Sequence, residues 1–405
     1  MSSFPRRRLI TVLAFAGSSG LSHAAGFALI EQNASGLGNA YAGQAASAQD
    51  ASTVFFNPAG MSLLQDTQGV VAGHLIQPSA RFSGTFSTPV GGGQGGDAGG
   101  VAFVPSLYLV HPLTPDVHLG LGINMPFGLK TDYDAGWVGR YQALKSELKT
   151  INVNPSVAWK ISDQLSLGAG LDFQRIDATL SNAISPLVPG SLMTVKGDDW
   201  GWGYNMGLLW ATRDTRVGLA YRSEVAYTLK GQLTANAVLP SGDVAADVTM
   251  PASASLSVVH AVSPSVDLLA DVTWTGWSAF DRLAVAYTTL PVPLPATREN
   301  WKDSWRYSLG ATWHADPAWS WRAGIAYDES PVPDAYRTAR IPDENRTWLA
   351  VGGQYRVDAK NAIDFGYAHL FVKEASIDST NAAGTLTGRY DDYVNILSVQ
   401  FTHGF

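Results

Sequence analysis

Apolar residues alternate with small or polar residues along much of the chain, which is the period-two pattern of a β-strand with two different faces. In residues 165–173, leucine, alanine and phenylalanine share one face, while serine, glycine and aspartate occupy the other. Residues 200–210 repeat the pattern with tryptophan, tyrosine and methionine against glycine and asparagine until Leu209 interrupts it. A membrane β-barrel turns such an apolar face to lipid and lines its lumen with small and polar residues.

The alternation and the turn residues together predict about fourteen strands. They lie near 68–78, 101–112, 116–126, 147–160, 164–180, 194–211, 215–231, 246–262, 265–280, 303–314, 318–327, 346–356, 361–374 and 391–405. Tight turns such as Asp316-Pro317 alternate with long loops near 79–100, 127–146, 181–193, 232–245, 281–302, 328–345 and 375–390. Short turns at one rim and long loops at the other are typical of outer-membrane barrels, in which the short rim is periplasmic. We therefore predict an all-β, antiparallel transmembrane barrel of about 14 strands.

The composition agrees with a barrel wall that faces lipid. Charged residues make up 15% of the chain, and aromatic residues make up 11% with 13 tryptophans, whereas charged residues usually reach about 25%. No stretch approaches the roughly twenty apolar residues of a membrane helix. The chain has no cysteine, which excludes disulfides and thiolate chemistry, and its net charge of -7 argues against a nucleic-acid partner.

Both ends of the chain carry export features. Three arginines at 6–8, the apolar run 9–16 and the sequence Ser22-His23-Ala24 predict a signal peptide over residues 1–24. The last strand places apolar residues on one face and ends with Phe405. A terminal aromatic residue of this kind resembles the signal that bacterial barrel-assembly machinery recognises. We expect residues 67–405 to form a barrel in the Gram-negative outer membrane, where lipid and lipopolysaccharide surround it.

Residues 25–66 are rich in alanine, glycine and serine and do not read as a barrel strand. Short side chains and glycine allow a chain to fold closely against other backbone. The segment has two possible locations, the periplasm and the lumen. A lumen of this circumference either is filled or conducts water, and we predict that residues 25–66 form a luminal hatch.

Several segments resemble the FadL-type long-chain fatty acid transporters. AGFALIEQNASGLGNAYAG (25–43) followed by Asn57-Pro58-Ala59 is similar to the hatch of that family, and the resemblance continues through 128–174, 197–207, 216–224 and the terminal phenylalanine. It implies a fourteen-stranded barrel with an N-terminal hatch. It also implies that hydrophobic substrates are captured outside, bind within, and leave sideways at a kinked third strand. The family includes importers of aromatic hydrocarbons and alkanes, so the resemblance leaves the cargo open.

Proline residues point to the same part of the wall. Proline cannot donate a hydrogen bond to a β-ladder, yet Pro126 ends the predicted third strand within Met125, Pro126, Phe127 and Gly128, and Pro155 lies inside the fourth. One interpretation is that Pro126 starts a loop. The other is a local break in pairing that opens the wall, and the family resemblance favours this lateral gap.

The long loops are unusually apolar for segments outside a cell. The predicted capture residues are Leu187, Val188, Leu192, Met193, Val238 and Leu239. Exposed apolar patches often mark a binding site or a partner. These loops could instead pack on one another or on lipopolysaccharide.

Three arginines share the predicted inward parity and are candidates for binding a carboxylate head group: Arg222, Arg306 and Arg322. Luminal arginines also pair with luminal acids, for which Glu224, Asp267, Asp271 and Asp364 are available. If the cargo is a hydrocarbon, no head-group contact is needed.

The sequence lacks the motifs of an enzyme, a metal site or a cofactor site, so we expect no catalytic residues and no cofactor. The sequence therefore predicts a monomeric, passive importer of hydrophobic small molecules. Long-chain fatty acids are the first choice of cargo and aromatic hydrocarbons or alkanes the second. An outer-membrane acyl hydrolase and a general porin are the rivals from other classes.

Overall fold

A computed structural model describes residues 26–405, so the predicted signal peptide lies outside the described residues. The barrel strands are β1 (Gln68–Phe86), β2 (Ala102–Pro112), β3 (Val117–Asn124 and Gly128–Asp132), β4 (Lys145–Lys160), β5 (Leu165–Ala183), β6 (Leu192–Ala211), β7 (Thr215–Arg222 and Val225–Ala235), β8 (Gly242–Met250 and Ser253–Ser263), β9 (Val266–Thr275), β10 (Ser304–His314), β11 (Trp319–Asp328), β12 (Arg346–Arg356), β13 (Asn361–Val372 and Ala375–Asn381) and β14 (Gly384–Gly404). The predicted fold class is confirmed.

The barrel closes because its first and last strands pair along their whole lengths. The antiparallel register of β1 on β14 runs from Gln68 opposite Gly404 to Phe86 opposite Leu386. Closure leaves no strand edge in the wall, and an open edge could not be tolerated in hydrocarbon. The loop between β9 and β10 adds the short strands Arg282–Leu283, Ala286–Tyr287 and Thr297–Arg298 and a 3₁₀ turn at Trp277–Ala279, and another 3₁₀ turn is Asp334–Tyr336.

The outer surface carries the apolar face that the alternation predicts. Along β6, Trp200, Trp202, Met206 and Trp210 are all exposed, and Trp202 reaches 70%. Arg175 of β5 lies opposite Trp200. It forms an ion pair with Asp177, two residues further along the same strand. The lipid-facing band therefore ends near the level of Trp200.

The strands extend further from the membrane than the sequence predicts. β1 contains 19 residues and β14 contains 21, whereas about 9–11 residues of a tilted strand cross a bilayer. Much of the predicted loops 232–245 and 375–390 is therefore strand, and this part of the loop prediction is wrong. Beyond the bilayer neither strand face meets lipid, so the apolar alternation fades although the ladder continues.

A β-bulge in β7 corrects one inward assignment. Ser223 inserts between the two segments of β7, where its N–H donates to Tyr204 O at 2.8 Å and its hydroxyl accepts from Tyr204 N at 2.9 Å. An extra residue reverses the side-chain parity that follows it. Glu224 is consequently exposed on the outer face and is not a luminal acid.

The N-terminal segment fills the lumen as three single-turn helices and a 3₁₀ helix. These are α1 (Ala34–Leu37), α2 (Gln44–Ser47), α3 (Thr53–Phe56) and Pro58–Leu63, and we keep the name hatch for residues 26–66. No helix among the described residues is long and apolar enough to cross a membrane.

Glycines on the inner wall allow the hatch to approach the barrel backbone. A Cβ built on Gly218 would lie 1.9 Å from Ala45 O, and one on Gly324 would lie 2.2 Å from the carbonyl carbon of Asn39. Such distances exclude any side chain larger than hydrogen. The glycine-rich luminal face is therefore the docking surface of the hatch.

Candidate functional site

Regular pairing stops within β3. The segment Val117–Asn124 pairs with both neighbours, whereas Gly128–Asp132 pairs with β4 alone. The facing residues Ala102–Ser106 of β2 pair with β1 but, within the described chain, have no ladder partner in β3. The strand resumes after Pro126, so this proline interrupts a strand instead of starting a loop.

The first residues of the hatch pair with the interrupted strand. Leu29 N donates to Pro126 O at 2.8 Å, and Gly128 N donates to Phe27 O at 3.0 Å. These two bonds flank an isolated antiparallel pair formed by Ala28 and Phe127. The hatch thus supplies hydrogen-bond partners that the neighbouring strand does not.

Side chains satisfy the remaining backbone groups of the break. The Thr150 hydroxyl accepts from Phe127 N at 2.9 Å and donates to Phe127 O at 3.0 Å. Gln32 Nε2 donates to Met125 O at 2.9 Å. Pro126 has no N–H, so its position in the break needs no acceptor. The break is therefore closed in this structure, and hatch residues take the place of the neighbouring strand.

Phe27 anchors the start of the hatch in an aromatic cluster. Its ring centroid lies 4.7 Å from that of Trp277, 5.6 Å from Trp301, 5.9 Å from Phe280 and 6.3 Å from Phe127. Edge-to-face packing at these distances adds stability beyond the buried area. Because Phe127 belongs to the cluster, the same contacts hold the hatch and the broken strand together.

A cavity of about 310 Å³ lies beside this cluster and reaches the break. It falls at the lower end of the size range of small-molecule sites. Hatch residues Phe55 and Phe56 and wall residues Leu370 and Val394 contribute apolar surface, and Pro126 lies at its edge. The cavity therefore joins the barrel interior to the irregular part of the wall.

Arg306 is the predicted head-group candidate that retains free donors in this cavity. Its Nη2 donates to Ala40 O at 2.6 Å, and its guanidinium lies 5.0 Å from the centroid of the Trp348 ring. Nε and Nη1 are buried without a hydrogen-bond partner among the described residues. Buried unpaired donors are costly, and these two nitrogens are available to a further hydrogen-bond acceptor.

The other two predicted arginines are already occupied. Arg222 lines the cavity but forms an ion pair with Asp172, donates to Phe55 O at 3.0 Å and stacks on the Phe55 ring. Arg322 does not line the cavity; it pairs with Asp364 at 2.6 Å and donates to Gln49 of the hatch. Arg322 holds the hatch to the wall.

Sequence analysis missed several charged residues of the cavity, among them Arg346 and Glu31. Arg346 pairs with Asp343 at 2.5 Å, and its Nε lacks a partner among the described residues. Arg346 shares the inward parity of Trp348 on β12, and this parity could have identified it from the sequence.

Burial raises the pKa of hatch residue Glu31 to about 7. The protonated carboxyl therefore contributes most to the stability of the fold at low pH, and this contribution is lost as pH rises through 7.

The hatch motif occupies a different part of the lumen from the break. Asn57 caps the following 3₁₀ helix, in which Pro58 takes the first position. Its Nδ2 donates to Ala45 O at 2.6 Å and to Leu208 O at 3.0 Å. Asn57-Pro58-Ala59 therefore packs on β5 and β6, and the hatch residues that reach the break are Phe27–Leu29.

The predicted capture residues lie on two adjoining hairpins. Asn236 joins the hairpins because its Oδ1 accepts from Leu192 N at 2.8 Å and its Nδ2 donates to Gly190 O at 2.9 Å. Leu187 is 90% exposed and Val188 and Val238 are also exposed, whereas Met193 and Leu239 are half-buried. Leu192 and Met193 begin β6 and are not loop residues.

A closed fourteen-stranded barrel filled by its own N-terminal segment defines the class of plugged outer-membrane β-barrels. The chain belongs to the family described as outer membrane protein transport protein (OMPP1/FadL/TodX), which it matches over residues 15–405. The protein is therefore an outer-membrane barrel of a transport family.

Relatives match over almost their whole lengths. The chain is 29% identical to the long-chain fatty acid transport protein of Escherichia coli O6:H1, covering 94% of each chain. It is 32% identical to the 47 kDa outer membrane protein of Pasteurella multocida, covering 97% of this chain and 99% of the relative. A FadL homologue from Pseudomonas aeruginosa is similar in structure, with a TM-score of 0.88 and 27% identity over 94% of this chain and 100% of the homologue.

Thr150 offers a direct test of how the break is stabilised. Replacing Thr150 by Val leaves Phe127 N–H buried without a partner, and we expect a loss of about 1–3 kcal/mol in the free energy of unfolding. Thr150→Ser keeps the hydroxyl and should retain wild-type stability. Denaturant unfolding of the refolded barrel measures both variants, and equal stability of Val and Ser at this position would contradict the assignment.

Proposed function

We propose that the protein is a passive transporter that takes up hydrophobic compounds, with long-chain fatty acids as its principal cargo. The observation that carries the proposal is a cavity with largely apolar walls inside a closed barrel, placed against a break in the wall at which hatch residues supply backbone hydrogen-bond partners. The name of the E. coli relative, a long-chain fatty acid transport protein, supports the cargo.

The exit is lateral in this proposal. A ligand that is poorly soluble in water gains little from an axial route to the periplasm and gains more by moving sideways into the bilayer. The wall beside Met125, Pro126, Phe127 and Gly128 is the place where few ladder bonds have to break. Release of Phe27–Leu29 from the strand opens it, and return of the hatch closes it.

Capture begins at the exposed apolar hairpin residues around Leu187 and Val238. Ligand then reaches the cavity, where the free N–H groups of Arg306 donate hydrogen bonds to its carboxylate. An aromatic hydrocarbon or alkane is the second candidate cargo, and the apolar cavity walls suit it as well. It would leave Arg306 without a ligand contact.

We also propose the maturation and surroundings of the barrel. Removal of residues 1–24 leaves a hatch over 25–66 and a barrel over 67–405. Phe405 N donates to Thr67 O at 2.9 Å, and its ring is exposed at the end of β14, where the assembly machinery can bind it. The closed wall offers no strand edge to a second copy, so the protein functions as a monomer among lipid and lipopolysaccharide.

A disulfide across the break tests the lateral route. Ala28 and Phe127 form a non-hydrogen-bonded antiparallel pair, whose Cα atoms lie about 4.5 Å apart in such ladders, close enough for a disulfide. In the double variant Ala28→Cys, Phe127→Cys, oxidation should stop fatty acid uptake and reduction should restore it. The chain has no other cysteine.

The matched control is a disulfide between Asp378→Cys and Thr387→Cys, a paired position on the extracellular part of β13 and β14. It should leave uptake unchanged in both redox states. Normal uptake by the oxidised Ala28–Phe127 variant would exclude the lateral route.

Head-group binding is tested at Arg306. Replacement by Ala should weaken fatty acid binding by about tenfold or more, because a hydrogen bond to a charged group contributes about 1.5–3 kcal/mol. Binding of an alkane of equal length should not change. Arg389→Ala, at an exposed arginine paired with Glu374, is the control, and unchanged fatty acid binding by the Arg306 variant would favour a hydrocarbon as the cargo.

A further inference from the structure

A second interruption of regular pairing lies in the wall between β6 and β7. The ladder stops at Asn205 opposite Arg222 and resumes at Asp198 opposite Lys230. Within the described chain, the residues of β6 and β7 between these two pairs have no ladder partner in the other strand. We call this region the second break, and the interruption in β3 the first break.

The next strand is interrupted at the same level. The two segments of β8 are separated by Pro251 and Ala252, which face Ser223 and Glu224 of β7 outside the ladder. Pro251 has no N–H that could be left without an acceptor, as is also true of Pro126 in the first break. β7 therefore lacks regular pairing on both of its sides at one level, and the wall is weakest there.

Side-chain oxygens replace ladder acceptors at the two ends of the second break. At the lower end the Ser223 hydroxyl accepts from Tyr204 N at 2.9 Å, and at the upper end Asp199 Oδ2 accepts from Thr228 N at 2.8 Å. Rotation of a side chain releases such a bond, whereas a ladder bond is released only when a strand moves. The two ends can therefore loosen while the neighbouring ladders stay paired.

An apolar side chain occupies the middle of the second break. A Cβ built on Gly201 would lie 2.5 Å from Val225 Cγ1, and one built on Gly203 would lie 3.0 Å from Val225 Cγ2. Val225 belongs to the buried cluster that includes Phe27 and Trp277. Side-chain packing thus closes the middle of the break, and displacement of Val225 opens it.

The large cavity reaches the second break from the lumen. Arg222, Pro251 and Ser253 are among its lining residues. Met206 and Tyr221 also line it, although both are exposed on the outer face of the barrel. The cavity therefore extends into the wall just below the second break.

On the outer face the second break lies at the upper edge of the lipid-facing band. Trp200 and Trp202 belong to the unpaired part of β6 and are exposed, and the rings of Tyr204 and Tyr221 lie below them with centroids 6.0 Å apart. Tryptophan and tyrosine concentrate where membrane meets water. Ala226 is the small exposed residue of β7 in this region. An alkyl chain in the outer leaflet therefore meets the wall where it is irregular.

We propose that the second break is a membrane-side entrance through which uncharged hydrophobic compounds dissolved in the outer leaflet reach the large cavity. The inference rests on the proposed function and adds an entrance that is separate from the extracellular hairpins and from the first break. An alkyl chain enters between β6 and β7 as Val225 moves aside, and it reaches the cavity beside Met206 and Tyr221. The exposed carboxylate of Glu224 at the outer rim favours an uncharged compound over an anion.

The test follows octadecane that carries a photoactivatable diazirine, dissolved in the bilayer of proteoliposomes containing the protein. Octadecane is almost insoluble in water, so it reaches the lumen through the wall. The first break is locked by oxidation of the variant Ala28→Cys, Phe127→Cys. Mass spectrometry measures the rate at which Phe55 and Phe56, hatch residues that line the cavity, become labelled. We expect the oxidised and reduced proteins to be labelled at the same rate.

The second break is then blocked from outside in the locked protein. Ala226→Cys adds one exposed thiol, which a bulky maleimide modifies after the first break has been oxidised. Labelling of Phe55 and Phe56 should slow by about tenfold or more, because any other opening would leave unpaired backbone groups in hydrocarbon. The matched control is Val351→Cys with the same maleimide, at an exposed position on the outer face of β12, and it should leave the rate unchanged.

The outcomes separate this inference from the proposed function. Loss of labelling when the first break alone is locked would overturn the entrance, and the transport proposal would stand. Unchanged labelling after modification of the Ala226→Cys variant, or an equal loss with Val351→Cys, would also overturn it. If neither this probe nor a diazirine-bearing dodecanoate labels the lumen of the wild type, the proposed function fails and this inference fails with it.

Discussion

In the hydrocarbon of a membrane every backbone N–H and C=O must find a partner within the protein. The closed ladder from β1 to β14 meets this requirement along most of the wall, but regular pairing is lost within β3, where Pro126 interrupts the strand. Here the partners come from Phe27 and Leu29 of the hatch and from the Thr150 hydroxyl. The backbone pairing of the wall at this point therefore depends on residues of the hatch.

The same dependence explains features that would otherwise be unrelated. The hatch must lie at a fixed depth to present Phe27–Leu29 to the break, and wall glycines such as Gly218 and Gly324 allow its backbone to pack at that depth. Arg322 and Asn57 fasten its more distant parts to the wall. The aromatic cluster around Phe27 adds a further contact between the start of the hatch and the interrupted strand.

Local sequence patterns predicted the barrel, the hatch and the three inward arginines because strand parity and composition report which environment a face meets. They could not predict partners that are distant in the chain. Nothing near Pro126 indicates that Leu29 would pair with it, and Ser223 reverses the parity of Glu224 by a bulge that no local pattern marks. Glu299 and Arg340 lie in long loops without strand periodicity, so only the fold shows that they line the same small cavity.

The central claim is that the hatch and the broken strand open together. Hydrogen–deuterium exchange at the Leu29 and Gly128 amides measures this most directly, because each donates one of the two bonds that join the segments. Saturating fatty acid should accelerate exchange at both amides by a similar factor while the ladder between β1 and β14 stays protected. Acceleration at Gly128 alone, or unchanged exchange at both amides, would contradict the account.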